Sequence, residues 1–270
     1  MSVHAPASEL LSALIDDPAH SAILLDVDGT LAPIVRHADD AMVPQPTRSL
    51  LSAIAKRYAL VACVSGRRAT DTRRIVSIGS IAYIGNHGGE VLPPSGTEVR
   101  VNPELRAWAR RIQDFARAAD TPELRRLRVR LEDKGSITAF HWRGAPDETE
   151  AEMTVRGIAT EAETEGFHTH WGRKVLEVRP PVHIDKGVGV RNLLADADLD
   201  VAHAMYAGDD TTDLDAFRAL AELAAEGQLQ TAVRVGVRSD EGPAEIEREA
   251  DLLVDGPGGM HRLLESLLPS

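Results

Sequence analysis

Residues 21–30, SAILLDVDGT, constrain this chain more than any other segment: an apolar run stops abruptly at two carboxylates one residue apart, and a turn glycine follows. The run predicts a strand buried on both faces, as in a parallel sheet. Side chains two apart on an extended segment share a face, so Asp26 and Asp28 converge at the strand's carboxyl end, where open α/β sheets place their ligands. Two such carboxylates repel each other unless a cation or a proton separates them. The same rhythm continues through the first third, with a strand at 21–25, a helix near 47–57, a strand at 59–64, a helix near 69–76 and a strand at 81–85. Alternation of this kind predicts an α/β fold with a parallel sheet.

Further apolar strands end in polar groups. Residues Val201 to Ala207 read as a buried strand running into Gly208-Asp209-Asp210-Thr211-Thr212-Asp213, with a helical pattern through Leu214, Phe217, Leu220 and Leu223. A helix N-cap accounts for Thr212 and Asp213 but does not require Asp209 or Asp210. If this loop lies beside the first, Asp26, Asp28, Asp209 and Asp213 form an acidic nest. An all-oxygen donor set of that kind favours a hard divalent cation such as Mg2+. The run Ala59 to Val64 ends in Ser65-Gly66-Arg67, a hydroxyl and a guanidinium suited to an anion. In Ile184-Asp185-Lys186-Gly187 a lysine opens a helix, where the helix dipole disfavours a cation. A residue set against its local preference is a candidate functional group.

The rhythm breaks near Pro93-Pro94-Ser95-Gly96. Asn102-Pro103-Glu104 then starts a helix with Leu105, Trp108, Ile112 and Phe115 at helical spacing. Strand-like runs at 127–131 and 136–142 flank the turn-like Glu132-Asp133-Lys134-Gly135, and a helix near 147–165 precedes strands at 167–171 and 174–178. An order of helix, hairpin, helix, hairpin predicts an antiparallel α+β domain, 102–180, inserted into a core formed by 1–101 and 181–270. Pro180-Pro181 and the Pro93–Gly96 stretch are the expected crossings.

The stretches LLDVDGTLAPI, VSGR, HIDKG and YAGDDTTDLDAF, in this order and strand context, resemble the motif set of the haloacid dehalogenase superfamily. The further stretches YIGNHGGE, LEDKGSITAFHWR and GRKVLEVRPP narrow the resemblance to the trehalose-6-phosphate phosphatases. This resemblance implies a Rossmann-like parallel-sheet core with a mobile α+β cap, and Mg2+-dependent hydrolysis of trehalose 6-phosphate to trehalose and phosphate, the last step of trehalose biosynthesis. It also implies roles. Asp26 is the expected nucleophile, forming an aspartyl phosphate, and Asp28 the expected general acid and base, while Ser65 and Lys186 hold the phosphoryl oxygens. Asp26, the Asp28 carbonyl and Asp209 are the expected Mg2+ ligands, with Asp213 and Asp210 behind them. Expected substrate contacts are Arg67, Asn86 and His87 on the core, and Glu132, Lys134, Arg143, Lys174 and Glu177 in the insert. The alternatives are another cap-bearing sugar or polyol phosphatase, of sucrose-phosphate or mannosylglycerate-phosphate type, and a non-catalytic sugar-phosphate sensor.

Composition agrees with a small-molecule enzyme. A net charge of −12 with no Lys/Arg block argues against nucleic acid and anionic membranes as partners, so an anionic substrate must be held by a local cationic pocket. The single cysteine, Cys63, lies within an apolar run and reads as a core residue, and disulfides within the chain are impossible. No apolar stretch approaches a membrane span, which leads to the expectation of a cytoplasmic protein, and a monomer is expected.

Overall fold

The computed structural model describes residues 7–35, 40–196, 200–239 and 242–269. It divides the chain into two compact units, one running to Arg100 and resuming at Ile184, the other comprising Val101–His183. In chain order the strands are β1 (Ser21–Leu25), β2 (Leu60–Val64), β3 (Ala82–Gly85), β4 (Glu90–Leu92), β5 (Arg100–Val101), β6 (Arg130–Asp133), β7 (Thr138–His141), β8 (His168–Gly172), β9 (Val175–Arg179), β10 (His203–Gly208), β11 (Thr231–Arg238) and β12 (Leu252–Asp255).

The first unit is built on an eight-stranded sheet in the order β12-β11-β10-β1-β2-β3-β4-β5. The strands from β12 to β3 run parallel, and β4 returns antiparallel beside β3. Every residue of β1 and β2 is buried, which explains their unbroken apolar character. Alternation assigns Ile23, Leu25, Val61 and Cys63 to the core on one face of the sheet, and Ala22, Leu24, Leu60, Ala62 and Val64 to the core on the other. The strand order reverses at β1, whose neighbours β10 and β2 lie at opposite ends of the chain's path, and their carboxyl ends form the crevice where such sheets bind ligands.

The second unit carries an antiparallel sheet in the order β6-β7-β9-β8. The helices Pro103–Ala119 and Glu148–Thr164 supply Ile112, Phe115, Val155 and Ile158 to a core shared with Phe140, Leu176 and Val178 of the sheet. The opposite row of the sheet, Glu132, Ala139, Glu177 and His170 in register, is largely polar.

Several sequence expectations are corrected. Leu127 does not begin a strand, because Thr121 and Pro122 start a short helix, Pro122–Arg126, whose Leu124 amide is capped by the Thr121 hydroxyl. Glu132 and Asp133 belong to β6, paired with Ala139 and Thr138, and the turn moves to the four residues that follow. There the Gly135 amide donates to Asp133 and Gly135 adopts φ +83°. The Pro93–Gly96 turn connects β4 to β5 within the first sheet, so the chain leaves that sheet later, after β5.

Candidate active site

Three acidic groups meet at the carboxyl ends of β1 and β10. Leu25 pairs with Ala207, and the Asp26 amide donates to the Ala207 carbonyl at 2.8 Å, so Asp26 emerges beside the Gly208-Asp209 turn. Carboxylate oxygens of Asp26, Asp209 and Asp213 lie within 4.8 Å of one another, and all three residues are buried. Gly29, at φ +93°, makes this approach possible, because a Cβ there would lie 2.2 Å from Asp209 Oδ2.

Lys186 is the counter-charge. It begins the helix Lys186–Asp196, is 3% exposed, and donates to Asp26 Oδ1 at 2.7 Å and to Asp213 Oδ1 at 2.6 Å. Burial alone would push its amine down, but Asp213 and Asp26 outweigh burial and the net displacement is upward. Two carboxylates offset the unfavourable placement at a helix start. Burial lifts the Asp26 carboxyl well above the usual range; Lys186 opposes that shift, whereas Asp213 and Asp209 add to it.

Asp213 has four donors. Its Oδ1 also accepts from the buried Tyr206 hydroxyl at 2.6 Å, and its Oδ2 accepts from the amides of Asp209 at 3.1 Å and Asp210 at 2.9 Å. A carboxylate so occupied shapes the loop and steers Lys186, which leaves Asp26 and Asp209 as the better ligands for a cation. Burial, reinforced by Asp213 and Asp26, pushes the Tyr206 hydroxyl well up, so it remains a donor. The Asp210 carboxylate accepts from the Thr211 amide, a turn contact. An all-oxygen, anionic set with a single ammonium suits a hard divalent cation, and Mg2+ fits the donors present.

Asp28 is only partly buried and faces Arg67, whose Nε and Nη2 donate to its two oxygens at 2.7 and 2.8 Å. Ser65 closes the β2 end with its hydroxyl accepting from the Arg67 amide at 3.1 Å. The Asn86 amide donates to the Arg67 carbonyl and the His87 amide to the Ser65 carbonyl. Asp26, Asp28, Ser65, Arg67, Asn86, His87, Lys186, Asp209 and Asp213 thus all stand in the loops and helix starts at one end of one sheet.

The insert residues fall into two groups. Lys134 donates to Glu177 at 2.7 Å and Arg179 grips the same carboxylate through Nε and Nη2, while Glu132 lies 2.7 Å from His141 Nε2. That contact with His141 holds the Glu132 carboxyl down to about 2, helped by Lys134 against the opposing effect of burial. Lys174 and Arg143 make other contacts. Lys174 sits at φ +60° in the turn between β8 and β9 and binds Glu148, and Arg143 donates to the Arg173 carbonyl. Sequence reasoning missed Tyr206, His141 and Arg179. Each lies on a strand and reads there as an ordinary sheet residue.

A parallel sheet carrying Asp-x-Asp after its central strand, a buried lysine and a Gly-Asp-Asp loop on the neighbouring strand matches the core expected from the resemblance to the haloacid dehalogenase superfamily. The chain belongs to the trehalose-phosphatase family, whose model matches residues 24–253. It is 32% identical to a trehalose-phosphate phosphatase of Mycobacterium marinum, over 74% of this chain and 51% of that protein. It is 31% identical to a probable trehalose-phosphate phosphatase of Oryza sativa subsp. japonica, over 73% of this chain and 58% of that protein. The chain therefore spans little more than half the length of these relatives, and 15% of two similar Mycobacterium tuberculosis proteins named as uncharacterized glycosyl hydrolases. In fold it resembles the C-terminal domain of a trehalose-6-phosphate phosphatase of C. albicans, with a TM-score of 0.75, 20% identity and coverage of 99% and 98% of the two chains.

Proposed function

We propose that this chain hydrolyses trehalose 6-phosphate to trehalose and phosphate with Mg2+. The observation that carries the reading is the buried Asp26–Lys186–Asp213 cluster beside Asp209, set at the sheet's ligand-binding edge in a member of this family.

Asp26 acts as the nucleophile, and its carboxylate oxygen attacks phosphorus as the bond to the sugar oxygen breaks, giving an aspartyl phosphate. Asp28 gives a proton to the departing sugar oxygen and then takes one from the water that hydrolyses the phosphoenzyme, a role worth ~10²- to 10⁴-fold. Ser65 and Lys186 hold phosphoryl oxygens. Asp26, the Asp28 carbonyl and Asp209 are the groups that would hold Mg2+, which supplies charge neutralisation between carboxylate and phosphate. Asp213 keeps Lys186 and the 209–210 backbone in place. In the resting arrangement Arg67 fixes Asp28; during turnover it is also placed to meet the phosphate or the sugar.

The inserted domain acts as the cap, and we assign sugar recognition to its polar face, where Glu132 and Lys134 offer charged hydrogen-bonding groups to hydroxyls. Glu177 positions Lys134. Lys174 and Arg143 contribute through the turns they stabilise. Phosphate release from a panel of trehalose 6-phosphate, sucrose 6-phosphate and glucose 6-phosphate, each with Mg2+ and with chelator, tests the reading. The expected result is a kcat/KM at least tenfold higher for trehalose 6-phosphate and no turnover with chelator. Preference for sucrose 6-phosphate would replace the substrate, and binding without turnover would indicate a sensor.

A further inference from the structure

The loop from Gly85 to Glu90 contacts both segments assigned above to phosphoryl oxygens. On one side it receives the Ser65 and Arg67 carbonyls through the His87 and Asn86 amides, at 3.1 and 2.7 Å. The His87 ring covers Gly66 so closely that a Cβ at Gly66 would fall 2.6 Å from the ring. On the other side Gly88, at φ +107°, abuts the start of the lysine helix, because a Cβ there would lie 2.4 Å from the Asp185 carbonyl and 2.9 Å from the Gly189 amide.

This shape is not one the backbone prefers. Asn86 and His87 are consecutive non-glycine residues in the left-handed region, at φ +49° and +54°. Such residues are strained and persist only where their surroundings hold them. Besides the backbone hydrogen bonds, a buried side chain holds the loop. Glu90, the first residue of β4, accepts from Asn86 Nδ2 at 2.8 Å through Oε1 and from the Ala69 amide at 2.9 Å through Oε2, with Arg68 Nε 3.9 Å away. The Ala69 amide belongs to the first turn of the helix that follows Ser65-Gly66-Arg67, so one carboxylate ties the strained loop to the segment it must align. Glu90 is part of none of the chemistry assigned above.

We propose that Glu90 is a positioning residue for the phosphate-holding groups, acting through Asn86 and the Ala69 amide to set Ser65 and Arg67. The proposal rests on the reading of Ser65 and Lys186 as phosphoryl-holding groups but not on the identity of the sugar. Both Glu90 oxygens accept, whereas a glutamine offers one acceptor and one donor. Glu90→Gln therefore removes the carboxylate charge from both contacts and replaces one acceptor by a donor while keeping the shape.

The test uses the Mg2+-loaded protein and inorganic phosphate as probe, with binding followed by calorimetry and turnover followed with p-nitrophenyl phosphate. Glu90→Gln is expected to weaken phosphate binding about tenfold and to lower kcat/KM in proportion, with the Mg2+ half-saturation unchanged. Asn86→Ala should show a comparable loss, and the double variant should lose little more than either single one, because both break the same link. Glu90→Asp, which keeps both acceptors, should recover part of the loss and also serves if the glutamine variant does not fold. Unchanged phosphate affinity in Glu90→Gln, additive losses in the double variant, or an equal fall in Mg2+ affinity would each overturn the proposal. Failure of the sugar assignment would instead appear as a wild-type protein that binds phosphate normally yet does not prefer trehalose 6-phosphate.

Discussion

Removing the Lys186 ammonium and removing the Asp26 charge should have opposite consequences for stability, although both abolish catalysis. Lys186 faces Asp26 and Asp213 at 2.7 and 2.6 Å, and Asp209 completes a group of three buried carboxylates around one ammonium. Lys186→Met leaves those carboxylates without a counter-charge, and breaking a buried pair in this way costs ~3–5 kcal/mol. For a unit of this size each kcal/mol shifts Tm by roughly 2–4 °C, so a fall of about 6–20 °C is expected. Asp26→Asn instead removes one of the crowded negative charges and leaves Lys186 balanced by Asp213, so Tm should hold or rise. Scanning calorimetry in chelator, following the transition that responds to the substitutions, measures both. Added Mg2+ should return part of the loss in Lys186→Met, about 2.7 kcal/mol at a hundredfold excess over Kd. If Asp26→Asn destabilises as much as Lys186→Met, the cluster is held by specific hydrogen bonds and not by charge balance.

Further outcomes follow from the same contacts. Asp209→Asn should raise the Mg2+ concentration needed for half-maximal turnover and be partly rescued by excess metal; a metal response identical to wild type would remove Asp209 from the ligand set. Tyr206→Phe strips one of four donors from Asp213, worth ~1.5–3 kcal/mol, and should lower Tm by about 3–12 °C. An unchanged Tm would show that the hydroxyl is not committed to Asp213. Glu132→Gln should cut kcat/KM for trehalose 6-phosphate by roughly ten- to 150-fold and spare p-nitrophenyl phosphate, with equal losses on both counting against sugar recognition. Because the folded Glu132 carboxyl lies at about 2, below its ordinary 4.5, it stabilises fully above 4.5 and loses that contribution as pH falls towards 2. Denaturant titrations across that window should therefore show a flatter acid limb for Glu132→Gln.

The core was legible in the sequence because its signals are local. Each site-bearing strand is an apolar run ended by its functional residues, so strand and chemistry share a few positions, as in Leu25-Asp26 and Gly208-Asp209. Lys186 stood out because a cation at a helix start conflicts with the dipole. The rest depended on side-chain contacts that only the folded loops create. Tyr206 and Glu90 act only through partners seven and four residues away or more, Asp213 and Asn86, and in sequence they resemble a core aromatic and a strand-end acid. In the insert, the family resemblance made Lys174 and Glu177 expected substrate contacts alike. Their partners differ, because Glu177 on β9 takes Lys134 from the turn after β6 while Lys174, in the turn before β9, takes Glu148. The short Pro122–Arg126 helix was hidden because a five-residue helix with one buried apolar residue, Leu124, is too short to show a helical period.

Detection of the covalent intermediate tests the central claim most directly. The Mg2+-loaded protein is mixed with trehalose 6-phosphate, quenched in acid within a single turnover, digested and examined by mass spectrometry. The expected result is one added phosphoryl group on the peptide containing Asp26, absent in Asp26→Asn and absent when Mg2+ is chelated. Turnover with no phosphoryl group on that peptide, or with the group on another residue, would contradict it.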